Sequence, residues 1–328
     1  MQRHQFGVDL GGTKTEIIVL NDDGETCFRK RRPTPATNYA EILNTIVELV
    51  REAEQATTKA LALGVGAPGA PVRATGHMKN ANTTCLIDKP LQADLRKLLG
   101  IAVQVENDAN CFTLSEATDG SGQGADSVFG VILGTGVGGG ICLNGALIRG
   151  KQHIAGEWGH NPLPRREGAN TPYLSPKGRA CYCKRHDCIE TYLSGPGLSQ
   201  TYAELASSDR WNGSDTNVAV PTAAQIAERA KGGETLARQT IDIYINQLAA
   251  ALASVINILD PDTIVLGGGV SNIQAIYAPL RAALPAHVFS DNVQTKILKA
   301  RHGDSSGVRG AAWLFPARQL AQIANQRG

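Results

Sequence analysis

The sequence predicts an α/β protein of two packed domains around a cleft, and three observations support that prediction. The chain has 328 residues, more than a single hydrophobic core usually organises. Its composition is typical of a globular protein, with 42% hydrophobic and 19% charged residues. A pattern of strand, glycine-rich loop and strand occurs twice along the chain. We therefore expect two α/β halves that share an internal repeat.

The first copy of the repeat lies near the N-terminus. Apolar residues at 6–10 and 16–20 predict strands, and Gly11-Gly12-Thr13-Lys14 between them predicts a tight loop. A helix should follow, because Asn38 and Glu41 can form a capping pair before apolar residues at helical spacing. Two further strands are expected at 61–65 and 101–105, and the second leads into Asn107-Asp108.

The second copy of the repeat begins at Ser127. A strand at 127–133 meets the glycine-rich segment 134–140 and resumes at 141–143 before the turn Asn144-Gly145. Beyond it we predict, in order, a long loop at 161–180, a helix at 235–259, a strand at 263–266, a helix at 272–284 interrupted at Pro279, and a closing helix at 308–324.

Charge, hydropathy and cysteine content select no macromolecular partner. The formal net charge is +2, and the one basic cluster, 29–32, is either a nucleic-acid arm or, as we prefer, a solvated strand end. The first residues lack the apolar core of a signal peptide, and no apolar run is expected to span a membrane. Seven cysteines, an odd number, indicate a reducing compartment. We expect a cytoplasmic protein without nucleic-acid or membrane partners.

Glycine spacing alone would permit a dinucleotide-binding site. Gly134, Gly136 and Gly139 match the dinucleotide fingerprint, which requires a helix directly after the glycines. A strand follows here instead, so a helix-borne pyrophosphate site is excluded. The loop at 11–14 likewise lacks the spacing of a Walker motif, since no glycine precedes Lys14.

Two glycine hairpins, one per domain, favour a polyphosphate ligand, because backbone N–H groups without side chains can approach phosphate oxygens. Thr13 and Thr135 add hydroxyl donors, and Asp9 is expected near Mg²⁺ through water. The alternative, two ordinary tight hairpins, is weakened by their recurrence. The predicted ATP-binding residues are Asp9, Gly11, Gly12, Thr13, Lys14, Gly134, Thr135, Gly136, Gly138, Gly267, Gly268 and Gly269.

Asn107-Asp108 is the candidate for chemistry. Phosphoryl transfer to an alcohol needs a carboxylate that accepts the hydroxyl proton, and Asp108 follows the end of a strand, where α/β proteins build ligand crevices. An ordinary Asn-Asp turn is the alternative. Sugar recognition requires many fixed donors and acceptors. Candidates for this role are backbone near Gly69, the amides of Asn82 and Asn107, and the side chains of Glu157 and His160.

Three clustered cysteines predict a metal site. Cys181, Cys183 and Cys188 offer soft ligands on one short loop, and His160 lies in the preceding loop segment. Three thiolates and one imidazole fill a tetrahedral zinc site and leave no open position, so zinc would be structural. The alternative, surface thiols without metal, would leave three reactive groups close together.

These motifs resemble the ROK family of bacterial repressors, open reading frames and sugar kinases. The match spans nearly the whole chain, through Asp9-Leu-Gly-Gly-Thr-Lys14, Glu106-Asn-Asp-Ala-Asn110, Leu133-Gly-Thr-Gly-Val-Gly-Gly-Gly140, Gly156-Glu-Trp-Gly-His160, Cys188-Ile-Glu190 and Leu266-Gly-Gly-Gly269. Within the family, the segments 79–83, 159–164 and 301–310 are most similar to the bacterial fructokinase branch, which makes fructose 6-phosphate from fructose and ATP.

The resemblance implies an actin-like, ribonuclease H-like duplicated fold. It implies a small α/β domain at 1–117, joined by the C-terminal helix 312–328, and a larger domain at 118–311 with the zinc loop. It further implies a base at Asp108, sugar contacts from Asn107, Glu157, His160 and Glu190, the zinc set above, and a homodimer. One departure concerns the turn of the zinc loop, where Lys184 and Asp187 stand in place of the family's glycines.

The sugar is not fixed by the sequence. A kinase for N-acetylglucosamine or N-acetylmannosamine, or a glucokinase, is the alternative to a fructokinase. A sugar-responsive repressor is disfavoured because no segment offers a basic recognition helix, and a sugar sensor without catalysis is disfavoured by the presence of Asp108.

Overall fold

The computed structural model describes residues 4–81, 83–164, 178–207 and 220–327, and the chain divides into two units. Unit 1 consists of Met1–Asp126, Gly140–Gly156 and Arg301–Gly328. Unit 2 consists of Ser127–Gly139 and Glu157–Ala300.

Unit 1 contains a five-stranded mixed sheet and a short two-stranded ribbon. The strands in chain order are β1 (Gln5–Leu10), β2 (Lys14–Leu20), β3 (Thr26–Pro33), β4 (Ala62–Ala67), β5 (Ala70–Pro71), β6 (Met78–Lys79) and β7 (Ala102–Asn107). The large sheet has the order β3-β2-β1-β4-β7, in which β1, β4 and β7 are parallel and β2 is antiparallel to both neighbours. The predicted strands on either side of the first glycine loop are confirmed.

Helices α1 (Tyr39–Ala56) and α2 (Leu91–Leu99) contribute to the main core of unit 1. Helix α1 begins where predicted, because Asn38 Oδ1 accepts the backbone N–H groups of Ala40 and Glu41 at 3.0 and 3.3 Å. Its apolar stripe, which includes Ile42 and Ile46, packs with strand residues such as Val8 and removes them from water.

A second layer of unit 1 is built by α3 (Asp108–Thr118), α9 (Ser306–Trp313) and α10 (Ala317–Arg327). Helix α9 approaches the sheet at two glycines. A Cβ atom on Gly64 would lie 1.8 Å from the carbonyl oxygen of Ala311, and one on Gly7 would lie 2.3 Å from the nitrogen of Ala312. Only glycine at these strand positions permits so close an approach.

The second sheet repeats the strand order of the first. Its strands are β8 (Ser127–Leu133), β9 (Val137–Leu143), β10 (Ala146–Leu147), β11 (Thr263–Gly267) and β12 (Lys296–Lys299). The order is β10-β9-β8-β11-β12, with β11 parallel to β8 and β12. The turn between β9 and β10 uses Asn144 and Gly145, with φ of 49° and 73°. The predicted internal repeat is confirmed, and the boundary between the units falls within β9.

The helices of unit 2 are α4 (Glu190–Leu193), α5 (Gly195–Ala206), α6 (Ala223–Lys231), α7 (Thr235–Leu259) and α8 (Tyr277–Ala283). Helix α7 has the predicted bounds. By length and a mean hydropathy of 1.4 it would qualify as a membrane span, contrary to our expectation that no segment would do so. However, 61% of that apolar window is buried, as in the core helix of a globular domain.

Two helix predictions were wrong in detail. Short 3₁₀ turns at Gly269–Asn272 and Gln274–Ile276 precede α8, and Pro279 lies in the first turn of α8, where its missing N–H costs no hydrogen bond. The closing helix is two helices, because Pro316 separates α9 from α10. Residues 165–177 of the predicted long loop lie outside the described residues.

The units differ from the domain boundaries expected at 117/118 and 311/312. Glu116 in α3 explains part of the difference. Its buried carboxylate accepts hydrogen bonds from the backbone N–H groups of Arg301 and His302 at 3.0 and 3.2 Å, and from the hydroxyl of Ser306 at 2.8 Å. These bonds tie the segment that leads into α9 to α3, so this segment belongs to unit 1.

The basic cluster forms part of edge strand β3, and each of its cations is paired. Arg29 and Arg31 form ion pairs with Glu16, whereas Lys30 and Arg32 pair with carboxylates of α1. Alternation of side chains along a strand accounts for this division between two faces. The cluster therefore lies at the end of an edge strand, as expected, and its cations form intramolecular ion pairs that the sequence did not predict.

Candidate active site and metal-binding loop

The proposed base lies where β7 ends and α3 begins. Asn107 caps the helix, since its Oδ1 accepts the N–H of Ala109 at 2.9 Å, and its Nδ2 donates to the carbonyl of Gly69 at 3.1 Å. Asp108 is the first helical residue, and its side chain is exposed. Its Oδ1 accepts the N–H of Ala109 at 2.8 Å, and an exposed carboxylate at the positive end of a helix can also accept a proton from a ligand.

Gly69 has a structural reason for being glycine. Its φ is 77°, and a Cβ atom there would lie 2.2 Å from the carbonyl oxygen of Lys79 in the ribbon formed by β5 and β6. Gly69 can therefore present its carbonyl to Asn107. Asn82, the other predicted sugar ligand in this region, lies outside the described residues.

Sequence reasoning assigned no role to Glu106, whose side chain holds the backbone of Asn107 by a hydrogen bond. Its buried side chain accepts the Asn107 N–H and the Asn110 side-chain amide, each at 3.0 Å, and forms an ion pair with Arg149. The i, i+4 spacing of Glu106 and Asn110 is the sequence signal that could have indicated this contact.

Asp9 occupies the end of β1, opposite Glu16 on β2. Burial raises the pKa of the Asp9 carboxyl to about 7, and the negative charges of Asp108 and Glu16 act in the same direction. Asp9 and Asp108 are thus electrostatic neighbours within unit 1. A cation beside Asp9 would offset the cost of ionising its carboxyl.

One backbone hydrogen bond and one bond from a threonine side chain hold the first glycine loop. The N–H of Gly11 donates to the carbonyl of Lys14 at 2.9 Å, and the hydroxyl of Thr34 donates to the carbonyl of Gly11 at 2.8 Å. Gly12 and Thr13, at the tip of the loop, are exposed. The tip can therefore approach a ligand with backbone donors and the Thr13 hydroxyl.

The second glycine loop, in unit 2, is fixed by Glu190 at the start of α4. The Glu190 carboxylate accepts the N–H of Val137 at 3.0 Å, and a Cβ atom on Gly136 would lie 2.6 Å from that carboxylate. The N–H of Gly195 also donates to the carbonyl of Gly134 at 2.8 Å. Thr135 is exposed at the tip, and Gly138 is half-buried.

The segment 157–160 packs on this same loop. Trp158 donates its indole N–H to the carbonyl of Gly138 at 3.1 Å, and a Cβ atom on Gly159 would lie 2.1 Å from the carbonyl oxygen of Val137. The structure therefore brings Glu157, His160 and Glu190 to one side of unit 2, beside the predicted phosphate loop.

The glycine run after β11 lies against the end of β8, where the second glycine loop begins. Gly268 has a φ of 83°, and a Cβ atom there would lie 2.5 Å from the carbonyl oxygen of Leu133 at the end of β8. Gly268 and Gly269 are exposed, whereas Gly267 is buried within β11. A 3₁₀ turn, rather than the expected α-helix, follows directly at Gly269.

The four predicted zinc ligands lie together. The ligand atoms of His160, Cys181, Cys183 and Cys188 are all within 4.8 Å of one another. The Cys181 Sγ is 3.6 Å from His160 Nδ1, and the Cys183 and Cys188 sulfurs are 3.5 Å apart. These spacings suit a tetrahedral ion with Zn–S bonds of about 2.3 Å.

The thiols of this cluster perturb each other's ionisation. Burial raises the pKa of the Cys188 thiol to about 12, and its hydrogen bonds with Cys183 and Cys181 contribute to the increase. Burial also opposes ionisation of Cys183, but a backbone N–H and the neighbouring thiols outweigh it and lower that pKa. A bound cation would favour the thiolate form of all three cysteines.

In the turn between Cys183 and Cys188, two residues have a left-handed backbone although neither is glycine. Lys184 and Asp187 have φ of 69° and 58°. The Asp187 carboxylate accepts the N–H of Arg179 at 2.8 Å and the hydroxyl of Tyr192 at 2.5 Å. Arg179, whose role sequence reasoning missed, is itself buried against the Tyr192 ring. The geometry of the turn is therefore compatible with both departures from the family pattern.

A family model described as the ROK family matches residues 5–318. The chain belongs to the ROK family. The prediction of a ROK-family sugar kinase is thereby confirmed.

Curated relatives are similar over nearly their whole length. The chain is 38% identical over 318 residues to an N-acetyl-D-glucosamine kinase of Yersinia pseudotuberculosis serotype O:1b (strain IP 31758), covering 96% of this chain and 99% of the relative. It is 40% identical over 309 residues to an N-acetyl-D-glucosamine kinase of Escherichia coli O9:H4 (strain HS), covering 94% and 98%. These relatives favour the alternative sugar over the fructokinase branch to which the motifs pointed.

Solved structures confirm the actin-like ATPase fold. A ROK hexokinase from Thermus thermophilus superposes with a TM-score of 0.80 at 26% identity, covering 99% of this chain and 100% of that one. A ROK family glucokinase from Streptomyces griseus, in complex with glucose and AMPPNP, gives a TM-score of 0.74 at 29% identity, covering 97% and 100%.

Proposed function

We propose that this chain transfers the γ-phosphoryl group of ATP to a hydroxyl of N-acetyl-D-glucosamine. The observation that carries the proposal is that relatives of this name are 38–40% identical over almost the full length of both chains. Fructose and glucose are the competing substrates, and they differ from the proposed one at only one or two carbon atoms.

Asp108 is the proposed base. As the sugar oxygen forms its bond to the γ-phosphorus, the bond from phosphorus to ADP breaks, and the hydroxyl proton passes to the Asp108 carboxylate. The exposure of this side chain and its position at the start of α3 support the assignment. The Asn107 side chain donates one N–H to the carbonyl of Gly69, and its oxygen accepts the N–H of Ala109. One N–H and one lone pair of the amide remain for the sugar.

The ATP phosphates are assigned to the glycine loops. In unit 1 the tip at Gly12 and Thr13 offers exposed backbone and hydroxyl donors. In unit 2 Thr135 is exposed in the same way, and the half-buried Gly138 adds backbone. Gly268 and Gly269 are proposed for the adenosine end. Lys14, half-buried beside the first loop, can add a positive charge.

The residues of unit 1 fit a Mg²⁺ ion near Asp9. Burial and two neighbouring carboxylates make the ionised form of Asp9 unfavourable, and a divalent cation would offset that cost. Bound Mg²⁺ would neutralise negative charge on the phosphoryl group during its transfer. Asp9 itself would hold the ion through water, which keeps the carboxylate of Asp108 available as the base.

The Cys181, Cys183, Cys188 and His160 cluster fits a structural zinc ion. With four protein ligands the site has no position left for a reacting water. Zinc would fix the loop that carries His160 to the loop that leads into Glu190. His160 and Glu157 are proposed as sugar ligands, and Glu190 retains acceptor capacity beyond its bond to Val137.

A panel of sugars tests the proposal. N-acetyl-D-glucosamine, N-acetyl-D-mannosamine, D-glucose and D-fructose are each assayed for ATP-dependent release of ADP. We expect kcat/KM for N-acetyl-D-glucosamine to exceed the others by about tenfold or more. D-glucose and D-fructose lack the acetamido group and leave its polar partners unpaired, and N-acetyl-D-mannosamine carries the group in the opposite configuration at C2. A larger kcat/KM for fructose or glucose contradicts the assigned sugar. If none of the four sugars is phosphorylated, the assignment as a kinase of these sugars is contradicted.

A further inference from the structure

Tyr182 stands between two predicted zinc ligands, and packing does not explain its orientation. Its side chain is 73% exposed. Nevertheless, its hydroxyl lies 2.9 Å from Nε2 of His160, and the two rings meet edge to face with centroids 5.1 Å apart. The phenol is therefore held by one polar contact and one ring contact with a proposed sugar ligand.

The direction of the hydrogen bond follows from the other imidazole nitrogen. His160 Nδ1 faces the Cys181 sulfur in the candidate metal cluster. A nitrogen that binds a metal carries no proton, so zinc held at Nδ1 would leave the imidazole proton on Nε2. Nε2–H then donates to the Tyr182 oxygen, and the Tyr182 O–H proton is available to another acceptor.

The negative charges of two carboxylates, Glu190 and Glu157, both act on the Tyr182 phenol. A sugar hydroxyl accepts one hydrogen bond and donates another, so it can accept from Tyr182 and donate to a carboxylate. Tyr182 would supply the donor for such a hydroxyl, and Glu190 and Glu157 are the candidate acceptors.

We propose that Tyr182 is a further sugar-contacting residue, whose hydroxyl donates a hydrogen bond to an oxygen of the hexose. The inference rests on the proposed function and refines its sugar site: His160, whose two ring nitrogens face the metal cluster and the Tyr182 oxygen, would act on the sugar through the Tyr182 hydroxyl. The contact with His160 orients the phenol, and Tyr182 lies in sequence between the candidate zinc ligands Cys181 and Cys183, which bound zinc would hold in place. Little side-chain entropy is therefore lost when the sugar binds.

Tyr182→Phe tests the inference, because it keeps the ring and removes only the hydroxyl. We expect the Kd for N-acetyl-D-glucosamine, measured by isothermal titration calorimetry, to rise about 5- to 10-fold, as one hydrogen bond predicts. The KM for the sugar should rise with it, whereas kcat and the KM for ATP should change by less than about twofold. Tyr182→Ala, which also removes the ring, should raise the Kd at least as much.

Tyr202→Phe is the matched control. Its hydroxyl donates to Glu234 elsewhere in unit 2, so the variant loses a hydrogen-bonded phenol of the same kind and should keep the wild-type Kd. The zinc content of every variant is measured, and the titrations use zinc-replete protein. These steps separate a lost sugar contact from a lost metal ion.

An unchanged Kd in Tyr182→Phe overturns the inference. A lower Kd also overturns it, since the phenol would then compete with the sugar for His160. Wild-type protein that neither binds nor phosphorylates N-acetyl-D-glucosamine contradicts the proposed function itself. Wild-type protein that does both, with an unaltered Kd in the variant, contradicts only the assignment of Tyr182.

Discussion

Asp187 accepts a hydrogen bond from the backbone N–H of Arg179 at 2.8 Å while its own backbone is left-handed, with a φ of 58°. The side chain thus compensates for a conformation that glycine would adopt without strain. Lys184, in the same turn with a φ of 69°, is exposed. The two residues replace glycine at different energetic costs.

Glycine substitutions should separate these costs. Lys184→Gly relieves left-handed strain of about 1–2 kcal/mol and loses part of that gain to backbone entropy, so we expect stabilisation of up to about 1 kcal/mol. Asp187→Gly gains the same relief but loses the bonds from Arg179 and Tyr192, so we expect net destabilisation of about 1–3 kcal/mol. Urea unfolding of the zinc-replete proteins measures both, and changes of the same sign would refute this account.

The proposed zinc site predicts about one zinc ion per chain after extensive dialysis. Cys183→Ser should reduce the metal content well below that value and lower Tm by more than about 5 °C, because folding and metal binding are linked. Elemental analysis and thermal unfolding provide the two measurements. Cys27→Ser, which changes an exposed thiol in β3, is the control and should alter neither. Folded, active protein without metal would exclude a structural requirement for zinc.

Asp108→Asn should reduce kcat by a factor of about 10²–10⁴, because the amide cannot accept the hydroxyl proton. Sugar affinity should change little, since the variant has nearly the same shape. A coupled ADP assay and sugar titration by calorimetry measure the two effects. Near-normal turnover would remove Asp108 from the role of base, and loss of sugar binding would indicate a structural role instead.

We expect the ionised carboxyl of Asp119 to stabilise unit 1, and we expect this stabilisation to be lost in acid. Burial opposes its ionisation, but hydrogen bonds from His302 and Arg309 outweigh that effect and hold the pKa of the Asp119 carboxyl below its usual value. A carboxyl with a lowered pKa stabilises the fold above the unfolded-state pKa of about 4 and loses that contribution as the pH falls further.

The Asp119→Asn variant should therefore be less stable than wild type at pH 7 by about 1.5–3 kcal/mol, as expected for hydrogen bonds to a charged group. The difference should shrink as the pH falls below about 4. Urea unfolding at pH 7 and at pH 3.5 provides the test, with Asp23→Asn in an exposed turn as the control. A difference that stays constant with pH would show that ionisation of Asp119 contributes nothing.

Much of the fold could be predicted because its signals are local. Glycine loops between apolar strands, the cap at Asn38 and the apolar periodicity of α7 each depend on neighbouring residues. The break at Pro316 was also visible in the sequence, but the helical pattern on both sides of it concealed the boundary.

Contacts between distant residues could not be predicted in this way. The ion pair of Glu106 with Arg149 joins residues far apart in the chain, and neither residue alone marks it. The bond of Tyr182 to His160 depends on how the two segments of the metal loop meet. The cysteine spacing indicated a ligand set, but the orientation of the imidazole, with Nδ1 toward sulfur, emerges only from tertiary packing.

Helix α9 follows all of unit 2 in the chain, yet it covers strand β2, which precedes unit 2. Ile18 and Leu20 form a small core with Val308 and Ala312. During synthesis, these strand residues remain open to water while all of unit 2 is being translated. The growing chain therefore carries an apolar sheet face that is prone to non-specific association until α9 emerges.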